Sequence, residues 1–162
     1  MRVGIGLGSN LGTRTEELAA AGVWLRGLDP GAKFSAIYET EAVDCLPDTP
    51  AFLNQVAEIR WNGSLVGLLD LVQAYERGRG RKTVRGRNQP RALDLDLLYA
   101  DQKEIHTFRL RLPHPRMGER QFVMEPLAEI CPERRVPGLP GTVRETAKWV
   151  SSRGGESCLR IG

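Results

Sequence analysis

Apolar residues along the first half of the chain come in short runs that break at glycine, proline and asparagine. Val3 to Leu7 alternates small and branched apolar residues before the turn-rich Gly8-Ser9-Asn10, which predicts a buried first strand ending in a loop. Thr13 is placed to cap a helix in which Leu18, Ala21, Val23, Leu25 and Leu28 carry the apolar positions, and Asp29-Pro30-Gly31 stops it. Two strand-like segments follow, Phe34 to Thr40 and Phe52 to Trp61, joined by a loop that contains Pro47 and Pro50. Ser64 then caps a second helix with a buried stripe of Leu65, Leu68, Leu69 and Val72, ended by Gly78 and Gly80.

The clearest strand signal is Leu93-Asp94-Leu95-Asp96-Leu97. Strict alternation puts the leucines toward a core and both aspartates on the opposite face. Farther along, Thr142 caps a short helix through Val150, and Gly154-Gly155 reads as a frayed tail. The order strand, helix, strand, strand, helix, strand predicts an α+β, ferredoxin-like βαββαβ core with C-terminal additions. In such a fold both helices cover one face of an antiparallel sheet. The other face is expected to be open, with Asp94 and Asp96 on it or at its edge.

Length and composition narrow the class without fixing it. A chain of 162 residues suits one domain, here 1–162, with one ordinary core. No apolar run reaches membrane-spanning length and no secretory leader is evident, so a cytoplasmic protein with no membrane partner is expected. Cys45, Cys131 and Cys158 are widely spaced, which predicts reduced, structurally incidental thiols. The net charge of +3 does not demand nucleic acid. Its carriers are mostly arginines, however, and arginine grips phosphate oxygens through a planar fork.

Those arginines gather in front of the carboxylate strand. Arg77, Arg79, Arg81, Lys82, Arg85, Arg87 and Arg91 lie in a glycine-punctuated stretch that leads into Asp94 and Asp96. Carboxylates two apart on a strand sit about 7 Å from each other at the backbone, close enough to hold magnesium. Alone, such a pair more often describes a solvated strand face, and the lesser alternative for the arginines is a solvated or RNA-binding loop. Together they suit magnesium and a polyphosphate, since bare carboxylates would repel a nucleic-acid backbone. Pro113-His114-Pro115-Arg116 and Arg120-Gln121-Phe122 add a conformationally restricted histidine and further guanidinium groups. Gln73 and Glu76 share a helix face beside the arginine loop, and by spacing alone they read as the exposed side of that helix.

Several nucleotide signatures are missing. Gly4, Gly6 and Gly8 match a dinucleotide fingerprint only weakly, because Ser9 stands where its last glycine belongs. No Gly-Lys-Ser/Thr phosphate loop, protein-kinase set or obvious paired covalent nucleophile is present, which leaves direct in-line transfer as the simpler chemistry.

With these residues in view the chain resembles the 6-hydroxymethyl-dihydropterin pyrophosphokinases of folate biosynthesis. The similarity runs from Gly8-Ser9-Asn10-Leu11 through Tyr38-Glu39-Thr40 and Phe52-Leu53-Asn54 to Pro90-Arg91-Ala92-Leu93-Asp94-Leu95-Asp96. It continues in Pro113-His114-Pro115-Arg116, Arg120-Gln121-Phe122-Val123 and Pro126-Leu127. The resemblance implies a ferredoxin-like fold and transfer of the β,γ-diphosphate of ATP to the pterin hydroxymethyl group, releasing AMP. It implies two Mg²⁺ ions held by Asp94 and Asp96, with Arg81 and Arg91 as further catalytic groups on the phosphates. Gln73, Glu76, Arg81, Arg91, His114, Arg116 and Arg120 fall on the ATP side. Thr40, Val43, Phe52, Asn54, Asp94 and Phe122 fall on the pterin side. A monomer acting on small-molecule substrates, with no nucleic acid, is the corresponding expectation. One departure is Asn88-Gln89, where the family commonly has an aromatic residue and then glycine.

Overall fold

The computed structural model describes residues 1–10, 12–41, 48, 50–79, 92–155 and 157–162. Val43, Cys45, Arg81, Asn88, Gln89 and Arg91 lie outside the described residues, as do Lys82, Arg85 and Arg87.

Strand β1 (Arg2–Ser9) is followed by helix α1 (Arg14–Leu28), then β2 (Lys33–Phe34), β3 (Tyr38–Thr40) and β4 (Phe52–Arg60). Helix α2 (Leu65–Gly78) leads on to β5 (Asp94–Ala100). The main sheet is ordered β5-β1-β4-β3-β8, with β2 also paired to β4, and β8 (Cys158–Arg160) forms its last strand. Its pairings β1–β4, β1–β5, β3–β4 and β3–β8 are all antiparallel, so β1 sits between β5 and β4 as the ferredoxin-like order requires.

Alternation decides which side each residue takes. Val3, Ile5 and Leu7 of β1 and Leu95 and Leu97 of β5 pack with Leu18, Ala21 and Leu25 of α1 and Leu65, Leu68 and Val72 of α2. Ser64 caps α2 as expected, its Oγ accepting the Gly67 N–H at 3.0 Å. Thr13 heads α1 but makes no side-chain capping bond, because its ψ of 78° departs from the extended value that aims Oγ at the first free N–H groups. Asp29 ends α1 and ties two turns together. Its carboxylate accepts the N–H of Gly31 at 2.9 Å and of Arg60 at 2.8 Å.

The opposite face of the sheet is not left open, contrary to expectation. Helices α3 (Gln121–Ile130) and α4 (Val143–Ser152) cover part of it, and Val123, Met124, Leu127, Val143 and Val150 form a second core with Val56, Leu98 and Tyr99. A register shift in the β1–β5 ladder lets Leu98 and Tyr99 both join that core, so the carboxylate strand turns apolar on this face beyond Asp96. Deep in it Tyr99 donates its hydroxyl to Glu58, whose buried carboxylate also takes an Arg134 nitrogen at 2.7 Å. Apolar residues of α3 flank Pro126, a helix breaker by sequence that this helix nonetheless contains. Thr142 and Glu145 form the reciprocal capping box of α4. The predicted frayed tail is also corrected: after Gly154-Gly155 the chain returns as β8 and pairs with β3.

Candidate active site

Two of the three β1 glycines clear a floor on the partly covered face. Gly4, Gly6 and Gly8 alternate with the core residues of β1 and so point away from α1 and α2. Gly4 is overlain by the Tyr99 ring, which would lie 2.3 Å from an added Cβ, whereas Gly6 and Gly8 line a cleft of about 630 Å³. Gly8 stands directly between Asp94 of β5 and Asn54 of β4 in the ladder, and Gly6 stands between Asp96 and Val56. Two strand spacings therefore separate the Asp94 and Asn54 backbones, about 10 Å, with no side chain between them.

Asp94 and Asp96 share this face as their spacing predicted, both half-buried and both lining the cleft. At the other side of the floor Asn54 is buried and donates from Nδ2 to Thr40 Oγ1 at 2.9 Å, fixing an amide and a hydroxyl as a pair. Phe52 and Phe122 complete the lining there, and the Arg120 guanidinium lies 5.5 Å from the centre of the Phe122 ring.

The segment after the two-stranded ribbon of β6 (Ile105–His106) and β7 (Arg111–Leu112), which opens with a cis Leu112–Pro113 bond, closes the carboxylate side. His114 is anchored by its own N–H to the Leu98 carbonyl at 2.7 Å, and its Nδ1 accepts the Arg116 N–H at 3.2 Å. Burial, then Arg120 and Arg116, hold the imidazole below its usual pKa, against a smaller opposing pull from Asp94. His114 is thus neutral at pH 7, with Nε2 left as its N–H donor.

Of the expected residues, Thr40, Phe52, Asn54, Asp94, Asp96, His114, Arg116, Arg120 and Phe122 are brought together around this one cleft. Gln73 and Glu76 are not among its lining residues. Glu76, expected on an exposed helix face, is buried and accepts the Leu95 N–H at 3.1 Å from beneath β5. Gln73 instead receives Arg109 at 3.5 Å, alongside the Arg109–Asp70 pair. Sequence reasoning missed Gly6, Gly8, Glu41, Glu119 and Gln121 as lining residues, although the period-two glycines carried a signal for the floor.

Hard oxygen donors on one strand suit magnesium, which is commonly held by one or two carboxylates and completed by water and phosphate oxygens. No group of three or more metal-ligating side chains occurs among the described residues.

A ferredoxin-like sheet bearing a carboxylate pair, guanidinium groups and an amide pocket has the chemistry to handle phosphate groups. Residues 4–132 match the model of the 7,8-dihydro-6-hydroxymethylpterin-pyrophosphokinase family, and the chain belongs to that family. It is 43% identical over 129 residues to 2-amino-4-hydroxy-6-hydroxymethyldihydropteridine pyrophosphokinase of Bacillus subtilis, covering 78% of this chain and 76% of that one. The protein of the same description from Pseudomonas aeruginosa is 38% identical over 147 residues, 84% of each chain. Among solved structures, Plasmodium falciparum HPPK-DHPS superposes with a TM-score of 0.65 at 12% identity, over 94% of this chain and 44% of that chain. The present chain thus spans less than half of that protein, and the likeness speaks for the fold.

Proposed function

We propose that this cleft transfers the β,γ-diphosphate of ATP to the hydroxymethyl group of 6-hydroxymethyl-7,8-dihydropterin, releasing AMP, as a step of folate biosynthesis. The observation that carries the residue assignment is the glycine floor between Asp94 and Asn54. It leaves a flat slot with carboxylates at one side and an amide, a hydroxyl and two aromatic rings at the other. A flat ring with a hydrogen-bonding edge suits the second side, and a polyphosphate with its cations suits the first.

Asn54 and Thr40 hold the ring edge and Phe52 and Phe122 its faces, which aims the hydroxymethyl oxygen toward the Asp94 side. Asp94 and Asp96 hold Mg²⁺, two ions in this reading. Magnesium held there would supply counter-charge to the phosphate oxygens. His114 offers a neutral Nε2–H, and Arg116 and Arg120 add fixed positive charge to the ATP side, stabilisation of the kind that preorganised donors supply. Arg81, Arg91 and Val43 belong to the proposal from the sequence alone. It further takes the chain to work as a single domain over 1–162, as a cytoplasmic monomer with no nucleic-acid partner. Among the described residues no helix is long and apolar enough to cross a membrane.

Incubation with ATP, Mg²⁺ and the hydroxymethyl pterin, followed by chromatography, tests the reaction. Pterin-dependent AMP with a diphosphorylated pterin is expected. Release of ADP, or no nucleotide product, would sink the proposal.

A further inference from the structure

One part of the cleft wall lies outside everything the family match covers. That match ends at residue 132, yet Val150, Gly154 and Gly155 also line the cleft. The wall is built from two anchors. The end of α4 is tied to α3, where Gln121 donates from Nε2 to Ser151 Oγ at 3.2 Å, and Gln121 itself lines the cleft beside Phe122. On the far side β8 pairs with β3, with Cys158 directly opposite Thr40. Gly154 and Gly155, which follow Ser151 and precede Cys158 in the chain, therefore line the cleft at the end where Phe122 and Thr40 stand. Cys158 lies only three residues after Gly155, so Gly155 is within about 11 Å of Cys158.

Gly154 and Gly155 have φ of +69° and +131°, values that residues with a Cβ adopt only at a cost. Nothing stands within 4 Å of a Cβ built on either one, so the glycines are required by conformation rather than by space. They put main chain and no side chain at the end of the slot, with the Gly154 N–H already bonded to the Ser151 carbonyl at 3.4 Å.

We propose that the Gly154–Gly155 turn is a specificity-determining wall for the acceptor ring, closing the end of the slot defined by Thr40, Asn54, Phe52 and Phe122. This rests on the assignment of that end to the pterin. By presenting backbone rather than side chains, the wall lets a flat ring approach closely and limits what can extend beyond it. It positions the acceptor and takes no part in the chemistry on the phosphates.

The test compares G154A/G155A, and separately a chain ended at Arg153, with the wild type and with Asn54→Ala. For each, KM for the hydroxymethyl pterin, Kd for ATP and thermal midpoint are measured. A rise of about tenfold in pterin KM, with ATP affinity within about twofold, is expected for the glycine variant and for the shortened chain, each with a lowered midpoint but still folded at the assay temperature. Unchanged pterin KM in a folded glycine variant, while Asn54→Ala raises it, overturns the wall and leaves the pterin assignment standing. Equal weakening of ATP and pterin assigns the segment a purely structural role and also overturns the proposal. Unchanged pterin KM in Asn54→Ala shows that this end does not hold the pterin, and the proposal falls with that assignment.

Discussion

Glu76 reaches beneath β5 and accepts the main-chain N–H of Leu95, the residue between Asp94 and Asp96, at 3.1 Å. β5 lies at the edge of the sheet, with β1 on its other side, so this N–H has no neighbouring strand to bond. A buried side chain from α2 does that work and fixes the stretch of backbone that aims both aspartates.

Replacing Glu76 by leucine is therefore expected to cost about 1–3 kcal/mol, because a buried N–H loses its acceptor. Turnover should fall as well, since the carboxylates lose their brace. Glu76→Gln keeps an acceptor oxygen and should retain most of the stability. Thermal midpoints and Mg²⁺-dependent AMP release check both, and a fully stable, fully active leucine variant would refute the bracing role.

Asp94→Asn and Asp96→Asn should each lower kcat by about two or more orders of magnitude with the fold intact, because transition-state charge loses its counter-ion. The half-buried side chains face the cleft rather than the core, so the thermal midpoint should barely move. Wild-type turnover, measured across a Mg²⁺ titration, would remove the metal assignment.

Gly4 and Gly6 should separate stability from binding. An alanine methyl at Gly4 meets the Tyr99 ring at 2.3 Å, and that ring cannot readily swing because its hydroxyl is bonded to buried Glu58. Overpacking of this kind costs about 1–3 kcal/mol. At Gly6 the nearest atom is a Leu98 methyl at 3.6 Å, so Gly6→Ala should fold normally. Its methyl rises from the cleft floor, and substrate KM should increase. Equal midpoints for the two variants would contradict this account of the floor.

Asp29 links stability to pH. Main-chain N–H groups of Arg60 and then Gly31 bond its carboxylate and hold its pKa below the ordinary value. A depressed folded-state pKa contributes stability that is present above the unfolded value and lost as pH falls through the folded one. Asp29→Asn should thus lower the thermal midpoint at pH 7, and the gap from wild type should close below about pH 4. A gap that stays constant with pH would show that the carboxylate charge is not what matters.

The sequence by itself determined the elements with strong local periodicity. Alternation in Leu93 to Leu97 put both aspartates on one face, and Ser64 and Thr142 marked their helices, because period and capping are written in neighbouring residues. Flanking prolines drew attention to His114, and similarity of motifs added Asn54, which no local pattern singles out. Only the tertiary structure decided what crosses the sheet. Helix α3 tolerates Pro126 because its apolar residues gain a second core against Val56, Leu98 and Tyr99, a gain invisible to local propensity. Glu76 is buried rather than exposed because an edge-strand N–H needs an acceptor, and Gly8 becomes a floor because Asp94 and Asn54 are its neighbours on either side. Each depends on contact between elements distant in sequence, which helical or strand period cannot encode.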